Sequence, residues 1–376
     1  MSSALDPHIP EPETFSPALR DNGPAAKVAI VGAGWYGCHI AEELRADGHD
    51  VHIFESQADI FGGASGHTQN RLHLGYHYAR SAMTRRQASE GYRHFKKIYP
   101  TLSRVVANNI YAVPRDDSLL DSETYLQVMQ ASQLPIELVD STAFGLAPST
   151  TAFRVAEELL CTQSAKRLFG ASLRPQLRLG TRAESVEEAH GTLRVNGEPF
   201  DAAVDCTWGA WEAGGQGMWP DLYFEPCVTF VYESQLHEFA LTLVDGAFFS
   251  VYPFQDGLHT LTSVTHTPLG RCRSHDEARQ TIARQNTDSL ERTRRIMEKD
   301  VARYWPPFLD HFRHVDAFFS VKTKMRSASD ARVVSVRRSG SRISVFAGKV
   351  NTIFTAADLV RQEMHAAVGR NQWASL

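Results

Sequence analysis

Six residues, Gly32-Ala-Gly34-Trp-Tyr-Gly37, constrain this chain more than any other feature, because of what stands on either side of them. Before them, Lys27-Val-Ala-Ile-Val31 is a short β-branched run of the kind that forms a buried parallel strand. After them, Cys38 to Ala46 has helical spacing of apolar residues and stops at Asp47-Gly48, a C-cap pair. Asp50-Val-His-Ile-Phe-Glu55 then reads as a second strand. Strand, glycine turn, helix and strand in this order make a βαβ unit. In such a unit Gly32 permits the tight turn, Gly34 lets the backbone approach a pyrophosphate, and Gly37 lets the helix pack close on the sheet. The helix N-terminus, at Trp35 and Tyr36, offers N–H groups and a positive dipole end to phosphates. Glu55 closes the second strand, where a carboxylate can take both ribose hydroxyls, with Ser56 beside it. The pattern predicts a dinucleotide site.

The rest of the chain narrows the classes. At 376 residues it can bury two or three domain-sized cores. Its 39 basic and 43 acidic residues leave a formal charge of −4, so no global field draws in nucleic acid or an anionic membrane. No apolar run approaches the roughly 20 residues of a bilayer crossing. The first 26 residues are proline-rich, lack an apolar block and read as a flexible lead rather than a secretion signal. Five scattered cysteines without a CxxC point to a reducing, cytoplasmic setting and against a disulfide frame or zinc site. Residues 86–100 and 276–303 read as helices, and 223–232 and 247–266 alternate like antiparallel strands. The last segment repeats the strand–turn–helix signature, with Arg342 to Ala347, Gly348, and a helix over Thr355 to Ala367.

Between Gly62 and Ser81 the chain is too polar and glycine-rich for core, yet dense in His, Tyr and Arg. His67, His73 and His77 are spaced by 6 and 4 residues, with Gly66 and Gly75 interrupting, which argues against a metal site. His73, Tyr76, His77 and Tyr78 are expected to alternate along an extended segment, sending two to each side.

These stretches together resemble the D-amino-acid oxidase/glycine oxidase family of FAD-dependent oxidoreductases. The resemblance lies in GAGWYG, Glu55 and the following Gly62-Gly-Ala-Ser-Gly66. It also lies in Thr207-Trp-Gly209-Ala-Trp211, Lys324-Met-Arg326-Ser-Ala-Ser-Asp330 and Gly348-Lys-Val-Asn-Thr352. It implies FAD held without a covalent bond, although His67 stands where some relatives attach the flavin. It implies that Gly63, Ala64, Ser65, Gly66, His67, Gln69 and Arg71 run along the pyrophosphate and ribityl chain. A helix over Val155 to Leu168 and a strand at Thr181-Arg-Ala183 would lie near adenine. Thr207 and Gly209 would pass close to the FAD, and Gly348, Lys349, Val350, Asn351 and Thr352 would face the flavin ring.

The fold implied is α/β, with a Rossmann-like FAD-binding domain (27–85, 150–215 and 320–376) and an antiparallel-sheet α+β substrate domain (86–149 and 216–319). The reaction implied is hydride transfer to flavin N5 from a C–H beside nitrogen or oxygen of a small amine, amino acid or 2-hydroxy acid. Reoxidation is by O₂ or another acceptor. Lys349 would stabilise the anionic reduced flavin, Arg326 would grip the carboxylate of an anionic substrate, and His73 would act as general base. Cys206 reads as packing. Two rivals stay open: a flavin monooxygenase using NAD(P)H, for which no second GxGxxG is present, and a non-redox flavoenzyme such as a sugar mutase.

Overall fold

A parallel sheet organises the first of two units in the computed structural model of the chain, which describes residues 25–189, 192–211, 218–219, 221–246, 248–326 and 334–373. Among the described residues this unit comprises 25–66, Gln163–Tyr223 and Thr323 onward. Its strands run in the order Ser335–Ser339, Arg342–Phe346, Ala202–Asp205, Lys27–Val31, Asp50–Phe54 and Leu177–Arg178. All neighbours are parallel except the outermost pair, Ser335–Ser339 with Arg342–Phe346. Ile30 lies opposite both Ile53 and Val204, and all three are fully buried, as central parallel strands require. The helix Trp35–Ala46 buries Cys38, Ile40, Ala41 and Leu44. The last helix, Ile353–Trp373, joins it through Arg361, which is paired with Glu43 and Asp47, and through Phe354 edge-on to His39. A small antiparallel sheet, Val186–Ala189, Thr192–Val195 and Glu198–Phe200, packs Leu193, Val195 and Phe200 against Ala29, Phe54 and Ala203.

The second unit comprises His67–Thr162 and Phe224–Lys322. Its eight-stranded sheet runs Phe312–Met325, Leu222–Ser234, Leu258–Ser263, Phe249–Pro253, Phe239–Leu243, Asn108–Pro114, Thr150–Val155 and Ile136–Val139. The pair Phe239–Leu243 with Asn108–Pro114 is parallel amid antiparallel neighbours. Phe230 and Tyr232 from one aromatic stripe join Trp305, Phe308 and Phe312 in its core. A three-stranded sheet pairs Arg71–Leu72 and Ser103–Val105 with Glu158–Leu160.

Several expectations are corrected. Residues 67–85 and 150–162 fall with the antiparallel unit, because Arg71 pairs with Leu159 and Thr150–Val155 pairs with Asn108–Pro114. Val155 to Leu168 is a strand end, a short strand and only then a helix, Thr162–Ser172. Thr181–Ala183 is not a strand; the edge partner of Asp50–Phe54 is Leu177–Arg178. The helix expected over 276–303 breaks into His275–Ala283 and Thr287–Tyr304, where Asn286 and Ser289 form a capping box. Residues 73–81 form turns rather than an extended segment, with Gly75 at φ +134°. Among the described residues no helix is long and apolar enough to cross a membrane.

Candidate functional site

The glycine turn is shaped by close contacts that an added Cβ would disturb. Gly32 sits at φ +96°, and its N–H reaches the Phe54 carbonyl at 2.8 Å. A Cβ on Gly37 would stand 1.8 Å from the Gly32 carbonyl oxygen, and one on Gly34 would stand 2.6 Å from Ser65 Oγ. Gly34 is also the N-cap of Trp35–Ala46, so no side-chain cap occupies the helix end. Ser65 Oγ instead accepts the Trp35 N–H at 3.1 Å, tying the Gly63–Gly66 turn to that helix start. Gly66 is equally confined, since its Cβ would fall 2.4 Å from the Phe61 carbonyl oxygen. Ala64 lies inside this turn, closed by Gly66 N–H on Gly63 O at 3.1 Å.

Glu55 is buried and pins the cradle: Oε2 accepts the Ala33 N–H and Oε1 the Gln57 N–H, each at 2.8 Å, with Ser56 Oγ at 3.4 Å. The Trp35 ring stacks on Phe61 in the core, so Trp35 can serve a ligand through its backbone only. Tyr36 Oη donates to the Lys349 carbonyl at 2.5 Å and meets Thr352 Oγ1 at 2.7 Å, linking the first helix to the loop before the last. Burial pushes the Tyr36 phenol well up, so it stays neutral. Lys349 is 6% exposed, which contradicts a solvated surface lysine. With Val350, Asn351 and Thr352 it forms the short turn that opens the last helix.

After the strand Ala202–Asp205, Asp205 Oδ1 accepts Thr207 N–H at 2.9 Å and Thr207 Oγ1–H at 2.7 Å, and Thr207 Oγ1 accepts Trp211 N–H at 2.8 Å. Trp208 and Gly209 both take positive φ there. Among the described residues, Trp208 Nε1 is a buried donor without a protein partner, and Trp208 packs beside Gly348. Ala183 offers its carbonyl to Trp211 Nε1 at 2.9 Å. Burial pushes the Cys206 thiol well up, in keeping with packing. A glycine cradle that a Cβ would fill, a buried carboxylate at the end of the second strand and an orphaned indole N–H fit FAD.

The antiparallel unit holds a second constellation. Glu157, fully buried at the bend between two strands, accepts at Oε1 from Leu74 N–H at 3.0 Å and Gly75 N–H at 3.5 Å. His73 Nδ1 lies 3.3 Å from the same oxygen, and Tyr111 Oη donates to Oε2 at 2.6 Å. His77 Nδ1 is 2.5 Å from Tyr111 Oη, and the two imidazoles stand 4.9 Å apart at 84°. Burial alone would raise the Glu157 carboxyl; His73, His77 and Arg71 outweigh it and hold it far below the usual carboxylate range.

The two imidazoles converge on one carboxylate, and the segment is not extended, because the turn at Gly75 folds it back. With Glu157 they place three ligand-capable atoms within 4.8 Å. Glu157 and Tyr111 escaped the sequence reading. The signal for the former was a carboxylate pair set in the apolar run Phe153 to Leu160.

Three residues expected along the cofactor make other contacts. Arg71 is buried over the Tyr252 ring at 3.9 Å, with Nη1 on Thr242 Oγ1 at 2.8 Å and Tyr111 Oη at 3.2 Å, and Nη2 on Ser250 Oγ and Gln69 Oε1. Gln69 Nε2 donates to the Ser250 carbonyl at 3.1 Å. The His67 ring sits edge-on to Phe318. Arg326 is exposed, its backbone N–H on the Asp221 carbonyl at 2.8 Å; Asp330, at the end of the same motif, lies outside the described residues.

Comparison with known proteins agrees with this geometry. The sequence pattern of the family described as FAD dependent oxidoreductase matches residues 27–332. A Fusarium mangiferae protein named FAD-dependent monooxygenase FPY4 is 39% identical over 334 residues, covering 89% of each chain. The FAD-dependent monooxygenase kojA of Aspergillus flavus is 28% identical over 370 residues, covering 89% of this chain and 84% of that one. Among solved structures, glycine oxidase from Geobacillus kaustophilus superposes with a TM-score of 0.66 at 13% identity, covering 92% of this chain and 95% of that one. Dithionite-reduced L-alpha-glycerophosphate oxidase from Mycoplasma pneumoniae, with FAD bound, gives 0.67 at 14% identity over the same shares.

Proposed function

Because this chain belongs to the family of FAD dependent oxidoreductases, we propose that it oxidises a C–H bond beside an oxygen or nitrogen of a small molecule. When bound, FAD supplies the acceptor for the hydride. The observation that carries the reading is the cradle: Gly34 leaves the helix start open to a pyrophosphate, and Glu55 stands ready for ribose hydroxyls. Lys349, buried on the turn before the last helix, is the cation that compensates negative charge developing on the ring system during reduction, with the helix dipole adding to it. Arg326 remains the candidate anchor for an anionic substrate.

Purified protein is expected to be yellow and to release FAD into the supernatant on acid precipitation. Colourless protein that retains NAD would refute the reading, and flavin left on the pellet would refute the non-covalent link. A second reading, hydroxylation of the substrate, is favoured by the 39% identical relative named a monooxygenase. Anaerobic mixing with candidate substrates separates the two. Bleaching of the flavin without NAD(P)H supports hydride removal from the substrate. Turnover that needs NAD(P)H, with one atom of ¹⁸O₂ entering the product, supports hydroxylation.

A further inference from the structure

Two imidazoles and one carboxylate meet wholly within the antiparallel unit, each on a pinned piece of backbone. His73 and His77 flank the turn at Gly75, and Glu157 stands at the bend between Thr150–Val155 and Glu158–Leu160. Tyr78 N–H donates to the Gly75 carbonyl at 3.0 Å. Tyr76, between the histidines, donates its Oη–H to the Pro135 carbonyl and accepts Tyr125 Oη–H on its own carbonyl at 3.0 Å. Asn109 Nδ2 holds the Glu157 carbonyl at 2.9 Å. No spacing within residues 67–81 reveals this set, because its carboxylate comes from 84 residues beyond His73.

We propose that His73, His77 and Glu157 bind one zinc-like divalent metal ion, with solvent as its fourth ligand. Two imidazoles and a carboxylate are a donor set that suits Zn²⁺ with an open position. One ligand atom from each residue lies within 4.8 Å of the other two. Zinc bonds of about 2.0–2.2 Å at tetrahedral angles put neighbouring ligand atoms roughly 3.3 Å apart. His73 Nδ1 is already 3.3 Å from Glu157 Oε1, and His77 Nδ1 is 3.9 Å from Oε2. The two histidine side chains are 22% and 29% exposed, so turning them closes the remainder without moving the buried carboxylate. Their rings stand at 84°, which lets both approach one ion without stacking. A ligating imidazole gives the metal an unprotonated nitrogen, so the hydrogen bonds now at Nδ1 are exchanged for metal bonds. None of the ligand atoms has to be unengaged beforehand.

The surroundings support the carboxylate as a ligand. Glu157 is held as the anion, so no proton has to leave it for metal to bind. Tyr111 Oη–H occupies Oε2 at 2.6 Å and acts as a positioning residue, leaving Oε1, on the His73 side, for the metal. Arg71 opposes a second cation, since its Nη1 is 3.9 Å from Oε2. Its guanidinium faces the Tyr252 ring and the oxygens of Thr242, Ser250 and Gln69, so it lowers the affinity without occupying the site.

The test is equilibrium dialysis of tag-free, FAD-loaded, full-length protein against zinc, with bound metal read by mass spectrometry and retained FAD reporting that each variant is folded. Wild type should saturate at one zinc per chain. His73→Ala and His77→Ala should each weaken binding by at least about 10–100-fold, the scale for losing even a hydrogen-bonded neighbour of a ligand. Both side chains are partly exposed, so these variants serve where Glu157→Gln does not fold. His311→Ala, at an exposed histidine of the same unit, should leave binding unchanged. Cobalt in place of zinc should give the intense visible bands of a four-coordinate site. Zinc that does not saturate, zinc undiminished in either of the two histidine variants, or an equal loss in His311→Ala would overturn the proposal. So would the weak cobalt bands of a six-coordinate, water-rich ion. The assay reads no flavin reduction, so its outcome stands apart from the oxidoreductase reading.

Discussion

Gly34→Ala is the substitution whose cost the structure divides most cleanly. The new Cβ would meet Ser65 Oγ at 2.6 Å, but the next atom, Ser65 Cβ, is 3.6 Å away, an ordinary contact. The clash is therefore with one hydroxyl at the end of a short side chain. Rotating it away breaks the 3.1 Å bond from Trp35 N–H, worth about 0.5–1.5 kcal/mol. Ser65→Ala removes both the clash and that bond. In the Ser65→Ala background, Gly34→Ala should therefore lose this part of its cost, giving a coupling energy of about 0.5–1.5 kcal/mol in a double-mutant cycle. Gly37→Ala behaves differently. Its Cβ would lie 1.8 Å from a backbone oxygen, so the helix itself must shift, at about 1–3 kcal/mol or more, and Ser65→Ala should give no relief. Urea unfolding of FAD-stripped protein measures the cycle, and fluorescence titration with FAD measures affinity. FAD affinity should stay impaired in the double variant, because the methyl also blocks the pyrophosphate's approach to the backbone. Strictly additive unfolding energies for Gly34→Ala and Ser65→Ala would refute this account of the turn.

Glu55→Ala removes a carboxylate bonded to the Ala33 and Gln57 N–H groups as well as the ribose acceptor. FAD should bind about 10- to 100-fold more weakly by equilibrium dialysis, on the scale of about 1.5–3 kcal/mol for charge-assisted bonds. Lys349→Met should slow flavin reduction or reoxidation in stopped-flow traces while leaving KM nearly intact, since the charge it meets arises only on reaction. An unchanged rate with raised KM would move Lys349 to substrate binding. Glu157 has its folded pKa below that of an unperturbed glutamate, about 4.3, so its stabilisation is complete above that value and is lost as pH falls through the folded one. The unfolding free-energy gap between wild type and Glu157→Gln should accordingly narrow from pH 7 to pH 3.5, and a constant gap would refute the assignment.

The dinucleotide cradle was legible from residues 27–55 because every part of it is local. β-branched runs, a 3.6-residue period and glycines at fixed offsets act within one βαβ unit, and their sterics leave one way to fold. The terminal strand and helix were legible for the same reason. The sequence could not show that Lys349 is buried, since that follows from the tie between Tyr36 and a loop 313 residues later. Nor could it show that Arg71 turns into the antiparallel unit, where cross-strand pairing with Leu159 sets its direction. The imidazole pair depended most on tertiary structure. His73 and His77 meet on a carboxylate 84 residues from the first of them, through a phenol on a third strand. No periodicity within residues 67–81 encodes that meeting. A buried carboxylate must find donors wherever the fold supplies them, and here sheet register and one glycine turn supply them from distant parts of the chain.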